Sequence, residues 1–187
     1  MPNRLFYLPH VAPEVLRTGN VSVQTDIYQA GITAFRLLNG FGKIHDRFNS
    51  LGQAGFNRLI QQGKVIQSGD FFPFIPQSLK RVVKKAVHVD PASRFQSALE
   101  MRRALERLGY PGYWTCDSTG RFVGHNASYE FRFEAQPKGA GLFDFTAFKK
   151  NKATGRETRV GEYSTKNVLR RQSDELKRNF MQRVVTG

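Results

Sequence analysis

A chain of 187 residues with 40% hydrophobic residues can bury one medium core or two small ones, and its 29 Lys and Arg against 15 Asp and Glu give a formal charge of +14. That charge draws nucleic acid, acidic protein surfaces or anionic lipid and is silent about fold, while one cysteine, Cys116, and four scattered histidines, His10, His45, His88 and His125, exclude an internal disulfide and a zinc site of ordinary spacing. No stretch of about 18 apolar residues and no signal-peptide pattern directs the chain to a membrane, so a cytoplasmic location is expected.

Ser22 is placed to cap a helix over residues 24–38 that stops at Asn39-Gly40. Ile27, Tyr28, Ala30, Ile32, Ala34, Phe35, Leu37 and Leu38 leave apolar groups on nearly every face, which predicts a central helix. A second helix is expected over residues 53–62, closed by Gly63. A third starts at Ser78 with Leu79, Val82, Val83 and Ala86 in one stripe, and the loop His88-Val89-Asp90-Pro91-Ala92 ends it. A fourth covers residues 96–108, with Ala98, Met101, Leu105 and Leu108 inward. At Gly109-Tyr110-Pro111-Gly112 no helix can continue and the period changes, which puts a domain boundary between residues 1–108 and 109–187. The Lys and Arg excess is shared, 15 to 7 before the boundary and 14 to 8 after it.

Beyond the boundary, residues 113–124 read as a hairpin around Asp117-Ser118-Thr119-Gly120. In residues 128–135, Tyr129, Phe131, Phe133 and Ala135 alternate with Glu130, Arg132 and Glu134, as in a strand with one buried face. A turn over residues 137–141 leads to a strand bearing Phe143, Phe145 and Ala147, and another strand covers residues 157–163. A last helix over residues 166–185 is expected to turn Leu169, Leu176, Phe180 and Val184 toward the sheet. The fold class is therefore α+β, a mainly helical domain followed by a small antiparallel meander with one C-terminal helix.

Four segments of the helical half carry a family likeness. Ala12-Pro13-Glu14-Val15-Leu16, Asp26-Ile27-Tyr28-Gln29-Ala30-Gly31, Leu37-Leu38-Asn39-Gly40 and Asp90-Pro91-Ala92-Ser93-Arg94-Phe95-Gln96-Ser97 stand in that order with helices between them. Together they resemble the C-terminal lobe of bacterial, eukaryotic-like Ser/Thr protein kinases over residues 7–108. The resemblance implies a largely buried ion pair between Glu14 and Arg94 that ties the activation segment to the last helices. It implies that Asp26 faces the catalytic loop of such a kinase. It also makes Phe6, Tyr7, Leu8, Pro9 and His10 part of the surface that reads the residue after the phosphorylated hydroxyl. Ala12, Pro13 and Gly31 are scaffold in the same pattern.

Phosphoryl transfer needs a Gly-rich loop and a Lys around the phosphates, an Asp for Mg²⁺ and an Asp at the acceptor hydroxyl. In the kinase family all of these come before the Ala-Pro-Glu motif, and 11 residues precede Ala12 here. His45-Asp46-Arg47, Asp70-Phe71-Phe72 and Gly139-Ala140-Gly141 imitate pieces of those motifs in the wrong order or context, and read as loop composition. No other catalytic constellation is visible; Cys116, even opposite His125 across a hairpin, reads as a buried thiol. The chain alone is expected to be inactive, with no cofactor of its own, ATP and Mg²⁺ being implied only for a complete kinase. It is read as the C-terminal part of a longer kinase or as a non-catalytic binding module. Without upstream cover, Ile27 and Phe35 are expected to be partly exposed, and the missing kinase N-lobe or another protein is the expected partner.

The densest positive cluster is the tip Lys149, Lys150 and Lys152, with Arg156, Arg159, Lys166, Arg170 and Arg171 grouped near it. Such a patch fits an acidic protein partner or nucleic-acid phosphates, but the outward Glu130, Arg132 and Glu134 are not base-stacking aromatics.

Overall fold

A computed structural model describes residues 8–187, and its contacts divide the chain into two compact units, the first ending at Leu108 and the second Gly109–Gly187. The first is helical: α1 (Pro13–Thr18), α2 (Val23–Asn39), α3 (Gly42–Gln61), α4 (Gln77–Ala86) and α5 (Ala98–Glu106), with 3-10 turns at Leu8–His10, Ser68–Asp70 and Pro91–Ser93. Ser22 stands at the N-cap of α2, its backbone N–H donating to Thr25 Oγ1 at 3.1 Å. Ile27 from α2 packs with Val82 and Ala86 of α4, Phe95 and Met101, while Phe35 meets Phe71 edge to face at 5.2 Å.

Several expectations need correcting. Ile27 and Phe35 are 3% and 1% exposed, because α4, α5 and the segments leading into each, which carry Phe71 and Phe95, cover that side of α2. The uncovered stripe is instead Val23, Asp26, Ala30, Thr33 and Leu37, one helical face, with Leu37 73% exposed. The helix expected from residue 53 starts eleven residues earlier, at Gly42, and takes in His45-Asp46-Arg47, which is not a loop. Gly52, at φ 62 and ψ 176, kinks α3 in a conformation that a side chain would strain, and Phe48 folds back across the kink onto Phe56 at 5.4 Å. Ser97 caps α5 by accepting from the Glu100 N–H at 3.1 Å, so the inward face is Met101, Ala104 and Leu108, and Ala98 and Leu105 are exposed.

Gly31 lets α2 and α4 touch: a Cβ there would stand 2.7 Å from Val87 Cγ1 and 2.8 Å from Ala86 Cβ. Ala86 Cβ is fixed to its backbone and the Val87 side chain is stiff. Overpacking of this kind costs about 1–3 kcal/mol, against about 0.5–1 kcal/mol gained from replacing a helical glycine. Gly31→Ala is therefore expected to lower the urea midpoint of the first unit at unchanged m-value; a raised midpoint would show that the helices can part freely.

The second unit is one antiparallel sheet in the order β1 (Gly112–Cys116), β2 (Phe122–Asn126), β3 (Tyr129–Gly139), β4 (Leu142–Asn151), β5 (Glu157–Leu169), with α6 (Arg170–Thr186) against one face. Alternation decides that face. Phe180 of α6 lies 5.9 Å from Trp114, 6.1 Å from Phe131 and 5.3 Å from Tyr163, and Phe133 stacks on Phe145 at 5.8 Å. Trp114 Nε1 donates to the Met181 carbonyl at 2.8 Å, so the one indole is both packed and satisfied.

Here too the elements differ from expectation. β3 runs on to Gly139 and a two-residue turn, Ala140-Gly141, both at positive φ, replaces the turn over 137–141. β5 extends to Leu169, so Lys166 belongs to the strand, the helix begins at Arg170, and Leu169 is 58% exposed. The extension was hidden by a bulge: Ala147 pairs with Val160 but Phe145 with Thr165. The Ser164 hydroxyl closes it, accepting from Ala147 N–H at 3.1 Å and donating to the Val160 carbonyl at 2.7 Å. Cys116 is exposed and not buried; it lies opposite Phe122, while His125 pairs with Tyr113. Among the described residues no helix is long and apolar enough to cross a membrane, and no group of three or more His, Cys, Asp or Glu could hold a metal ion.

Candidate functional site

Asp90 starts a tight turn by accepting from the Ala92 N–H and the Ser93 hydroxyl, both at 3.0 Å, and Pro91 fixes its first position. The turn throws Arg94 inward, where its side chain is fully buried and makes five hydrogen bonds. Nε donates to the His88 carbonyl at 2.7 Å, Nη1 to the Gln24 carbonyl at 2.8 Å and Nη2 to the Val89 carbonyl at 3.1 Å. Both terminal nitrogens also reach Glu14, at 2.9 and 2.8 Å, a forked pair between residues 80 positions apart. The guanidinium lies 4.9 Å from the Tyr28 ring centre, and burial pushes that phenol above its ordinary range.

Glu14, in the first turn of α1, also accepts from the Thr25 hydroxyl at 2.8 Å. Burial alone would raise its pKa, but the bonds from Arg94, the backbone and Thr25 outweigh it and hold the carboxyl below its ordinary value of 4.5. One buried cation thus joins α1, the start of α2 and the loop after α4. Ala12 and Pro13 are buried beside it.

Asp26, one residue after Thr25, points the other way. It is exposed and makes no side-chain hydrogen bond to a described residue. Phe6 and Tyr7 lie outside the described residues. Leu8, Pro9 and His10 form a 3-10 turn in which Arg36 Nη1 meets His10 Nε2 at 2.6 Å; burial first, then the Arg36 charge, lowers the His10 pKa and favours the neutral ring.

A second ion-pair node was not visible in the sequence. Arg47 binds Asp70 through two bonds, 3.0 and 2.9 Å, and Asp70 also accepts from the Gln67 N–H at 2.7 Å. Burial raises the Asp70 pKa, but these bonds prevail and hold it low. Nothing in the spacing of residues 23 apart on a helix and a loop announces it.

The structure splits the expected basic cluster in two. Lys149 and Lys150 pair with Thr158 and Glu157 at one end of the β4–β5 ladder, where Lys152, Arg156 and Arg159 also lie. Arg170 and Arg171 follow Leu169, which pairs with Leu142, seven residues along β4 from Lys149, or about 24 Å of strand. Lys166 belongs to that far end. The outer face is charge-paired: Arg132 binds Glu134 and Glu157 and lies 3.9 Å over the Phe148 ring, and Lys150 stands between Glu130 and Glu157.

No family model matches the sequence. Among curated proteins, the serine/threonine-protein kinase PknD of Chlamydia muridarum is 30% identical over 119 residues, 62% of this chain and 12% of its own length. Serine/threonine-protein kinase PrkC of Bacillus subtilis is 29% identical over 99 residues, 52% of this chain and 14% of its own. Human ribosomal protein S6 kinase alpha-3 is 30% identical over 92 residues, 49% of the chain and 12% of its own. The chain spans about an eighth of the length of these relatives, and a region of it is related to Ser/Thr protein kinases.

Proposed function

We propose that residues 1–108 are the substrate-side helical part of a Ser/Thr protein kinase catalytic domain, and that residues 1–187 alone transfer no phosphate. The observation that carries this reading is the Glu14–Arg94 pair, two motif residues that meet as the kinase resemblance requires, with Asp90 and Thr25 arranged around them. The partial identity to kinases of two bacteria and of man supports the same kinship.

Phosphoryl transfer is almost entirely positioning and charge neutralisation around nucleotide and Mg²⁺. Residues 1–187 contain no Gly-rich loop between a strand and a helix and no His-Arg-Asp or Asp-Phe-Gly segment. Their nearest imitations have other work: Arg47 and Asp70 bind one another, and Ala140-Gly141 is a hairpin turn. The uncovered face of α2, with Asp26 unengaged between Val23 and Ala30, suits the catalytic-loop side of such a domain. In this reading the chain contributes the docking surface for substrate and the rest of a kinase supplies the chemistry.

Purified residues 1–187 incubated with labelled ATP and Mg²⁺ are expected to give no incorporation or hydrolysis above a protein-free control. Label on the chain overturns the reading. Sequencing the transcript upstream of the Met1 codon distinguishes part of a longer kinase from a separate binding module: an open frame encoding the missing loop, Lys and Asp supports the first.

A further inference from the structure

The second unit holds a pocket of about 350 Å³ on the α6 side of its sheet that the kinase reading does not use. Its apolar lining includes Phe131, Val160, Phe180 and Val184, with the rings of Tyr129 and Tyr163 beside them. Both rings are packed on core residues, Tyr129 6.1 Å from Phe131 and Tyr163 5.3 Å from Phe180, which limits how far two walls of the pocket can move. The volume suits one substituted ring and is at the low end of small-molecule sites.

Three charged side chains share the pocket, Lys149, Arg183 and Glu162, and Gly187 also lines it. Lys149 Nζ lies 5.3 Å from the Tyr129 ring centre, and neither Lys149 nor Arg183 forms an ion pair with a described residue. Glu162 is engaged by the Tyr163 hydroxyl, whose pKa is raised by burial first and then by that carboxylate. Two cationic side chains, Lys149 half-buried and Arg183 exposed, therefore border apolar and aromatic surface, with one carboxylate side chain, Glu162, among them. The contrast with the outer face is informative, since Arg132 there binds two carboxylates and Lys150 stands between two.

We propose that this pocket binds a small ligand with a flat aromatic body and one anionic end, an aryl phosphate or aryl carboxylate, the ring lying against Phe131 and Phe180 and the anion facing Lys149 and Arg183. The proposal is independent of the kinase reading, which concerns the first unit. Apolar burial and ring contacts fix the body of the ligand, and the two cationic side chains, which no described carboxylate pairs, select the sign of its charge.

Phenyl phosphate titrated into the ¹⁵N-labelled full chain tests it, with inorganic phosphate and benzyl alcohol as probes that each lack one half. Phenyl phosphate should shift amides around Tyr129, Tyr163 and Arg183 and bind at least tenfold tighter than either control. Lys149→Gln and Arg183→Gln should each weaken it fivefold or more. Glu162→Gln should tighten it, because the competing carboxylate is gone; a purely structural role for these residues moves none of these values in opposite directions. Phenyl phosphate binding no tighter than inorganic phosphate, shifts centred on Lys150, Arg156 and Arg159, or weaker binding by Glu162→Gln with an unchanged thermal midpoint each overturn the proposal.

Discussion

Arg94→Ala is expected to destabilise the first unit by about 3–5 kcal/mol, the range for removing one partner of a buried ion pair. The variant leaves the Glu14 carboxylate with only the Thr25 hydroxyl and a backbone bond, takes a donor from three carbonyls, those of Gln24, His88 and Val89, and opens a void against Tyr28. Arg94→Lys should recover little, because an ammonium cannot reproduce the planar fork that reaches two Glu14 oxygens and three carbonyls. The exposed pairs Lys85–Glu100 and Arg102–Glu106 make the control, since such pairs are worth about 0–1 kcal/mol. Urea unfolding followed by helical circular dichroism reads the difference; a loss from Arg94→Ala no greater than that from Arg102→Ala would mean that the node organises nothing.

The two ion-pair nodes of the first unit set an acid limit. Glu14 and Asp70 both have lowered pKa values in the fold, from ordinary values of 4.5 and 3.8. Groups depressed on folding stabilise fully above their unfolded pKa and lose that contribution as pH falls through the folded one. Stability of the first unit should therefore be level above about pH 5 and decline below pH 4.5, and Glu14→Gln should flatten part of that decline.

What could be read in the sequence depended on how local its cause was. The cap at Ser22 and the stop at Asn39-Gly40 bracket α2 because capping and glycine termination act within a turn. The first half of α3 has a weak sequence signal because Ile44, Phe48 and Leu51 are spaced among glycines and polar residues, and Phe48 packs on Phe56 across the kink. The end of β5 lacks a strand signal because a bulge stitched by Ser164 and the positive φ of Asn167 interrupt its alternation. Charges near in sequence need not be near in space, because a strand of extended residues carries them apart. Glu14 and Arg94 were legible only through a family likeness, and Arg47–Asp70 and the aromatic pocket, assembled from separate elements, had no local signal at all.

In the second unit the largest effect should come from Phe180→Ala. Phe180 is 2% exposed and touches Trp114, Phe131 and Tyr163, so it is the point at which α6 meets three strands. Deleting a buried Phe costs about 3–5 kcal/mol, and small domains hold only about 5–15 kcal/mol in all, so the variant should sit close to its unfolding threshold. Met181, Val184 and Val185 would lose their seat together, since they follow Phe180 on one helix face. Trp114 reports the outcome directly: its indole leans on Phe180 and donates to the Met181 carbonyl, so its emission should shift to the red as α6 lifts. Phe148→Ala is the matched control on the opposite face, where the ring is only half-buried under Arg132 and a cation–π contact is worth about 0.5–1 kcal/mol. Equal losses from the two substitutions would mean that the sheet, and not its helix cover, holds the unit; a large loss confined to Phe180 places the stability in the seam between α6 and the strands, where the pocket also lies.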